Sequence, residues 1–495
     1  MVSANYQPDL DIEETQLSNE EIKKRSLTGA FSYLFRSIFL QIIGLISYFL
    51  LAAFLKKEDF GVYGIVIAIS SFFTIISDIG LGASLIQKKE SPTIRELRTV
   101  FTIQQILGWT VCLLIIGTAI IMHDSGRLEM GGVWLASAFA LSFPIVSFKT
   151  ISSILLERDL EFGKLAIPVI VEAIVFNVVV IFFAWRGAGV GSWAIAVILR
   201  AIIGVIVMLG IKRWSMGFAF SKEAFGNLMK VGAKFQINDM LAKLKDELFT
   251  IITAFFLSKG DLGYIQWANQ TSRFPYKFSV ESVMAVTFPT FSRLQHDNHA
   301  LKRAIEKTLF FTTLAAFPLL AGFAVMFIPL THLVPKYGQW QPALLTLTLF
   351  CISTAISTIS TPLTNTLNAI GQINTSLKLM VMWTILQWTL TPILILKFGF
   401  NGVALSSALI SLTVFIVVHV VQQKVSFQFI DQIWRQTLAS VVMAFVLYYF
   451  VSVWNQSFIH LGLGVVLGGI IFLSLMIVTG FEKMKREIVS IIQKK

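Results

Sequence analysis

Five ionisable groups fall within nine residues, Asp239-Met-Leu-Ala-Lys243-Leu-Lys245-Asp246-Glu247, on a segment (231–257) that otherwise reads as a membrane-spanning helix. A charge at bilayer depth costs roughly 2.5–3.5 kcal/mol on insertion scales. The cluster therefore has to face protein or water and not lipid. The next apolar segment answers it with Gln266, Gln270, Arg273, Lys277 and Glu281. Their spacing of three or four puts them on one helical face. Two polar stripes turned inward in a very hydrophobic protein point to a passage for something polar and charged.

Composition fixes the setting. Of 495 residues, 55% are hydrophobic and 14% charged, with a mean hydropathy of +0.75. That is the signature of an all-α polytopic membrane protein. Cys112 and Cys351 both sit in apolar segments, which argues against a disulfide or a thiolate metal site. His296 and His299 share a polar connection and read as solvated side chains, not ligands. No phosphate-binding glycine loop, zinc spacing or nucleophile elbow occurs. No metal, cofactor or enzyme activity is expected. Residues 1–27 are polar and lack the apolar stretch and cleavage site of a signal peptide, so they read as a cytoplasmic tail.

Windows of about 20 apolar residues give about fourteen segments. They are roughly 28–55, 60–86, 98–122, 131–154, 163–185, 189–211, 231–257, 261–290, 305–330, 342–368, 373–396, 400–421, 433–453 and 458–479. With the amino terminus inside, Lys and Arg favour the cytoplasmic connections and tails by about four to one, as the positive-inside rule requires. Both termini are then cytoplasmic, and the net charge of +12 is a topology signal. Nucleic acid is not an expected partner. Lys212 and Lys149, the latter near the inner end of the 131–154 segment, are counted with the cytoplasmic cations, while Arg36, Arg200, Lys243, Arg273 and Lys277 lie within spans.

Two stretches align at an offset of 202 residues: Ala53-Phe54-Leu55-Lys56-Lys57-Glu58-Asp59-Phe60-Gly61 and Phe255-Phe256-Leu257-Ser258-Lys259-Gly260-Asp261-Leu262-Gly263. Each falls at the hairpin after the first helix of a six-helix block, where Asp can cap the next helix and Gly permits a tight turn. The expected organisation is a tail (1–27), an N-lobe of six spans (28–211), a cytoplasmic amphipathic linker (212–230), a C-lobe of six spans (231–423), two further spans (424–480) and a second tail (481–495). Alternating apolar residues with Lys222 and Lys230 predict a surface helix for the linker. Parallel repeats of this kind place a binding site at their interface near the midplane.

Phe60-Gly61-Val62-Tyr63-Gly64, Ser77-Asp78-Ile79-Gly80-Leu81-Gly82-Ala83-Ser84-Leu85-Ile86-Gln87 and Leu155-Leu156-Glu157-Arg158-Asp159-Leu160-Glu161-Phe162 resemble the Wzx-type polysaccharide flippases. Those belong to the MOP superfamily, with the MATE exporters and the lipid II flippase MurJ. The resemblance implies two pseudo-symmetric lobes plus two C-terminal helices in the cell (inner) membrane. It also implies that a polyprenyl-linked oligosaccharide moves from the cytoplasmic to the outer leaflet by alternating access, for exopolysaccharide, O-antigen or capsule synthesis. Membrane lipids, a polysaccharide polymerase and export machinery are further candidate partners.

Such a substrate carries a pyrophosphate, which needs cations midway through the bilayer, and the planar fork of arginine suits phosphate oxygens. Arg36, Lys243, Arg273 and Lys277 are the candidates, with Gln266 and Gln270 hydrogen bonding to the sugars. Asn269 and the run Ser353, Thr354, Ser357, Thr358, Thr361, Asn365 and Asn368 are further candidate wall residues, or helix-packing groups. Asp78, Asp239, Asp246, Glu247 and Glu281 are candidates for H+ or Na+ coupling or gating. Each charge has a structural alternative: Arg36 with Asp78, Asp239 with Lys243, Lys277 with Glu281, and Arg200 with Glu172. Pro275 predicts a kink beside Arg273. The competing functions are a MATE-like cation-coupled drug antiporter and a membrane glycosyltransferase, ligase or polymerase. The short outward connections argue against the latter.

Overall fold

The computed structural model describes residues 19–77, 81–88, 90–223, 225–226, 253 and 256–492. Every regular element among them is helical. The chain divides into two compact units, Met1–Leu55 with Val62–Phe255, and Lys56–Gly61 with Phe256–Lys495.

The first unit contains α1 (Asn19–Phe54), most of α2 (Lys57–Ser77), α3 (Leu81–Gln87), α4 (Ile94–Asp124), α5 (Met130–Arg158), α6 (Phe162–Trp185) and α7 (Gly191–Ile211). A capping box starts α4: the Glu96 amide donates to Thr93 Oγ1 (3.2 Å) and the Thr93 amide to Glu96 Oε2 (2.9 Å). Two otherwise orphaned donors at the helix start are thereby satisfied. Helix α5 is central, packing on α3, α4, α6 and α7. Leu81, Leu85, Leu97, Val100, Phe101, Ile151 and Ile154 fill the α3–α4–α5 junction. Buried Gln105 of α4 donates to Ser147 Oγ (2.7 Å) and the Pro144 carbonyl (3.3 Å), so its burial carries no unmade donor.

Arg158 closes the same junction. Its guanidinium donates to the carbonyl of Leu85 in the last turn of α3 and to those of Lys88 and Glu90 beyond it, satisfying oxygens that the short helix leaves open. Asp159 pairs with Lys212 at 2.9 Å.

The linker differs from expectation. Residues 213–221 form no helix and are strapped along α4; residues 222–223 and 225–226 are helical, and 224 and 227–230 lie outside the described residues. Arg98 Nε donates to the Ser215 carbonyl (3.1 Å), and the amides of Ala219 and Ser221 donate to Thr102 and Thr99 hydroxyls. Trp214 and Phe218 lie against Phe101. The apolar residues 214, 216, 218 and 220 alternate with period two, which is the pattern of an extended chain.

The second unit contains α8 (Lys259–Tyr276), a π-turn (Lys277–Glu281), α9 (Ser282–Leu294), α10 (Asn298–Leu333), a 3₁₀ segment (Pro335–Ala343), α11 (Leu344–Ala369), α12 (Ile373–Phe398), α13 (Asn401–Ser411), α14 (Val414–Gln422), α15 (Phe429–Tyr449), α16 (Val451–Trp454) and α17 (Phe458–Ile492, kinked at Gly480). Helix α10 packs on α11 and α15, and α11 on α8 and α13. Phe310, Val325, Met443, Leu447, Trp454, Phe472 and Met476 form a core between α10, α15 and α17. Gly399, at φ +59°, ends α12 in the left-handed region that glycine adopts without a Cβ penalty.

Among the described residues, 10 helices are long and apolar enough to cross a membrane. The expected spans at 60–86, 231–257, 261–290 and 433–453 are the remaining ones. The first and second include residues outside those described. The third is broken by the π-turn, and the last carries Arg435, Gln432 and Gln436.

Candidate functional site

Helix α8 carries the described part of the expected polar path. Ser258 and Asp261 cap its start: the Asp261 amide donates to Ser258 Oγ (3.1 Å) and the Ser258 amide to Asp261 Oδ2 (3.3 Å). Trp267, Ala268, Thr271, Ser272, Phe274 and Pro275 are buried. Gln266, Gln270 and Lys277 are half-buried, and Arg273 and Glu281 are exposed. Gln266, Gln270 and Arg273 thus stand apart from the packed residues of α8, on its less buried side, while Lys277 and Glu281 fall in the turn that follows the helix. Among the described residues Arg273 has no ion-pair partner.

The helix changes character at this stripe. Pro275 has no N–H to return to the Thr271 carbonyl, and the next five residues, Lys277–Glu281, form a π-turn. Ser279 Oγ donates to the Pro275 carbonyl at 2.6 Å. Single π-turns inside α-helices are uncommon and recur at functional sites. The expected irregularity at Pro275 is present as a wider turn that offsets Arg273 from Glu281.

Most hydroxyls of the α11 run hold helices together. Thr361 accepts from the Tyr276 hydroxyl (2.9 Å), Thr354 donates to Ser272 Oγ (3.4 Å), and Ser353 donates to the Ser407 carbonyl (3.1 Å). Asn365 contacts Met284 Sδ at 3.2 Å. Ser357 and Thr358 donate within their own helix. These residues fix the packed side of α8 against α11 and α13, which in turn holds the polar side open.

The two repeated hairpins meet within the second unit. The Lys56 amide donates to Asp59 Oδ2 (2.9 Å), the counterpart of Ser258 with Asp261. A Cβ on Gly61 would meet the Lys259 carbonyl oxygen, and one on Gly263 the Lys57 carbonyl oxygen. The glycines serve this close approach inside α2 and α8, not the tight turn expected of them. Lys57 Nζ donates to the Tyr264 hydroxyl (2.9 Å), and its amide donates to Gln339 Oε1 (3.2 Å). Phe60 and Trp267 pack on Trp340, with centroids 5.1 and 5.0 Å away.

In the first unit, Arg36 is half-buried on α1. Asp78, Asp239, Lys243, Asp246 and Glu247 lie outside the described residues. A charged group that the sequence only half revealed joins α5, α6 and α7. Glu172, 5% exposed, accepts from Lys149 Nζ on one oxygen and faces Arg200 Nε at 3.5 Å on the other. The Glu172–Arg200 pairing was among the expected alternatives. Lys149, counted from the sequence with the cytoplasmic cations, was not: it lies inside α5, nine residues before its end.

A family model described as polysaccharide biosynthesis protein matches residues 50–344. The lipopolysaccharide biosynthesis protein WzxC of Escherichia coli (strain K12) is 23% identical over 380 residues, covering 74% of each chain. The succinoglycan biosynthesis transport protein ExoT of Rhizobium meliloti (strain 1021) is 22% identical over 325 residues, 65% of each. The lipid II flippase MurJ in an inward closed conformation shares the fold with a TM-score of 0.74 at 15% identity, over 92% of this chain and 100% of that one. An inward-facing MATE multidrug transporter of the MOP superfamily gives a TM-score of 0.58 at 14% identity, over 80% and 98%. The family match spans more than half the sequence, including both repeated hairpins and the polar helix between them and Trp340, and the chain belongs to the polysaccharide biosynthesis protein family, as its resemblance to the Wzx-type flippases implied.

Proposed function

We propose that this chain is a transporter and not an enzyme. It flips an anionic polyprenyl-pyrophosphate-linked oligosaccharide from the cytoplasmic to the outer leaflet by alternating access through a cationic central cavity. The observation that carries the reading is the less buried side of α8, where Arg273 stands exposed beside Gln266 and Gln270, with Lys277 in the turn that follows, in an otherwise apolar chain. A guanidinium with no ion-pair partner among the described residues offers paired donors to phosphate oxygens. Neighbouring amides supply the neutral hydrogen bonds that sugar hydroxyls require. The names of WzxC and ExoT, which refer to lipopolysaccharide and succinoglycan biosynthesis, support a saccharide cargo. Lys243 and Arg36 complete the cationic set in this proposal, and both termini are cytoplasmic.

The test is genetic and chemical. A deletion strain is expected to accumulate a lipid-linked oligosaccharide on the cytoplasmic side, detected by mass spectrometry of extracted lipids. The wild-type gene restores export, whereas Arg273→Ala, expressed and inserted normally, does not. Accumulation of a cytotoxic dye with normal lipid intermediates would instead support a MATE-like antiporter.

A further inference from the structure

Lys149, Glu172 and Arg200 bring two cations to one carboxylate where α7 packs on both α5 and α6 in the first unit. Arg200 is about 14 Å of helical rise from Gly191 and about 16 Å from Ile211, and Glu172 about 15 Å from Phe162. All three helices are long and apolar enough to span a membrane. Lys149 is about 14 Å of rise from the Arg158 end of α5, so each member of the group stands at least two turns inside its helix.

The carboxylate is built in. A Cβ on Gly204, one turn beyond Arg200, would overlap the Glu172 carboxyl group. Glycine at this position gives the acid its place against α7. One carboxylate oxygen is taken by Lys149 and the other by Arg200. Lys149 alone would neutralise Glu172, so the Arg200 charge is surplus. The Arg200 side chain is 52% exposed, with its Cζ 5.8 Å from the Phe176 ring. Among the described residues its two Nη groups have no hydrogen-bond acceptor. The Nε edge faces the acid while the Nη edge is presented outward.

We infer that Arg200, oriented by Glu172 and Lys149, is a receptor for a lipid-borne phosphate group at mid-membrane depth. This rests on the proposed function for its preferred ligand, the diphosphate of the carried lipid. A phospholipid headgroup stays near the bilayer surface, whereas a transported diphosphate has to pass this level. The planar Nη edge matches two phosphate oxygens. Glu172 is a positioning residue that holds the fork by its opposite edge.

The experiment uses the full chain in lipid nanodiscs, as wild type, Arg200→Gln and Arg200→Lys. Binding of a polyprenyl diphosphate, the corresponding polyprenol and phosphatidylglycerol is measured by native mass spectrometry. Arg200→Gln is expected to weaken diphosphate binding about ten- to a hundredfold, the loss of a hydrogen bond to a charged group, with polyprenol binding unchanged. Arg200→Lys is expected to fall between. Arg200 is half exposed, so these variants leave the packed core intact; correct folding is checked by the unchanged polyprenol binding. A loss confined to phosphatidylglycerol would keep the phosphate site and assign it to membrane lipid. Unchanged binding of both anions by Arg200→Gln would overturn the inference. If Arg273→Ala still abolishes export in that case, the proposed function stands and only this site fails.

Discussion

Gly61 faces the Lys259 carbonyl so closely that a single added methyl group would displace it, and Gly263 faces the Lys57 carbonyl in the same way. The two pairs are related by the 202-residue offset of the sequence repeat, so the contact is reciprocal. Each helix lends the other a backbone oxygen where any side chain would keep them apart. The repeated Asp residues start both helices with the same amide contact, which fixes where along each helix the glycine falls.

Gly61→Ala and Gly263→Ala should each destabilise the protein by about 2 kcal/mol through overpacking against unyielding backbone. Gly44→Ala is the control, because nothing lies within 4 Å of a Cβ there. It should be neutral or stabilise by roughly 0.5–1 kcal/mol, since alanine is the better helix former. Thermal unfolding of the three purified variants in one detergent separates these outcomes. Equal shifts in all three would mean that the close approach is absent.

Asp59→Ala and Asp261→Ala should each cost about 1 kcal/mol, the usual loss on removing a helix cap. Ser258→Ala should resemble Asp261→Ala, because both halves of that capping box are formed. The check is the midpoint of chemical denaturation, read for each variant against the parent. A large effect in one repeat and none in the other would deny that the hairpins are equivalent.

The hairpin repeat, the polar stripe and the Glu172–Arg200 pair were legible because each leaves a local trace. The trace is a recurring motif, a three-to-four spacing, or an unmatched charge in an apolar run. Lys149 was missed for a physical reason. Topology is read from cations near helix ends, and α5 continues for nine residues past Lys149, so a buried partner looked like a cytoplasmic cation. The extended linker carried its signal openly in the alternation of Trp214, Met216, Phe218 and Phe220. The helix expected of the linker is present where Lys222 stands, at 222–223 and 225–226, and not over 213–221. Gly61 and Gly263 were recognised, but a sequence does not say which glycine serves a turn and which a helix contact. The π-turn has no signature beyond Pro275, which foretells a disturbance without its form.

Arg158→Ala should loosen α3 by about 2 kcal/mol, from charge-assisted hydrogen bonds to three carbonyls. Arg158→Lys should recover little, because one ammonium cannot spread its donors across the oxygens that a planar fork reaches. Amide hydrogen exchange over residues 81–88 reads the effect directly. Faster exchange there, with unchanged exchange in α6 and α7, is the expected pattern. Protection equal to wild type in Arg158→Ala would show that the cap contributes nothing.

Pro275→Ala and Arg273→Ala should each separate stability from transport. Alanine at 275 restores an N–H that can return to the Thr271 carbonyl, and proline in a helix interior costs about 3 kcal/mol relative to alanine. Part of that should appear as a higher melting temperature. The same change lets the Lys277–Glu281 turn tighten towards an ordinary helix, which rotates Lys277 and Glu281 relative to Arg273. Transport should fall even though the protein is more stable. Arg273→Ala, at an exposed position, should leave the stability within about 0.5 kcal/mol of the parent while export is lost. Export rate and thermal midpoint measured on the same preparations decide the matter. A Pro275→Ala protein that is more stable and fully active would show that the π-turn is only a packing accommodation.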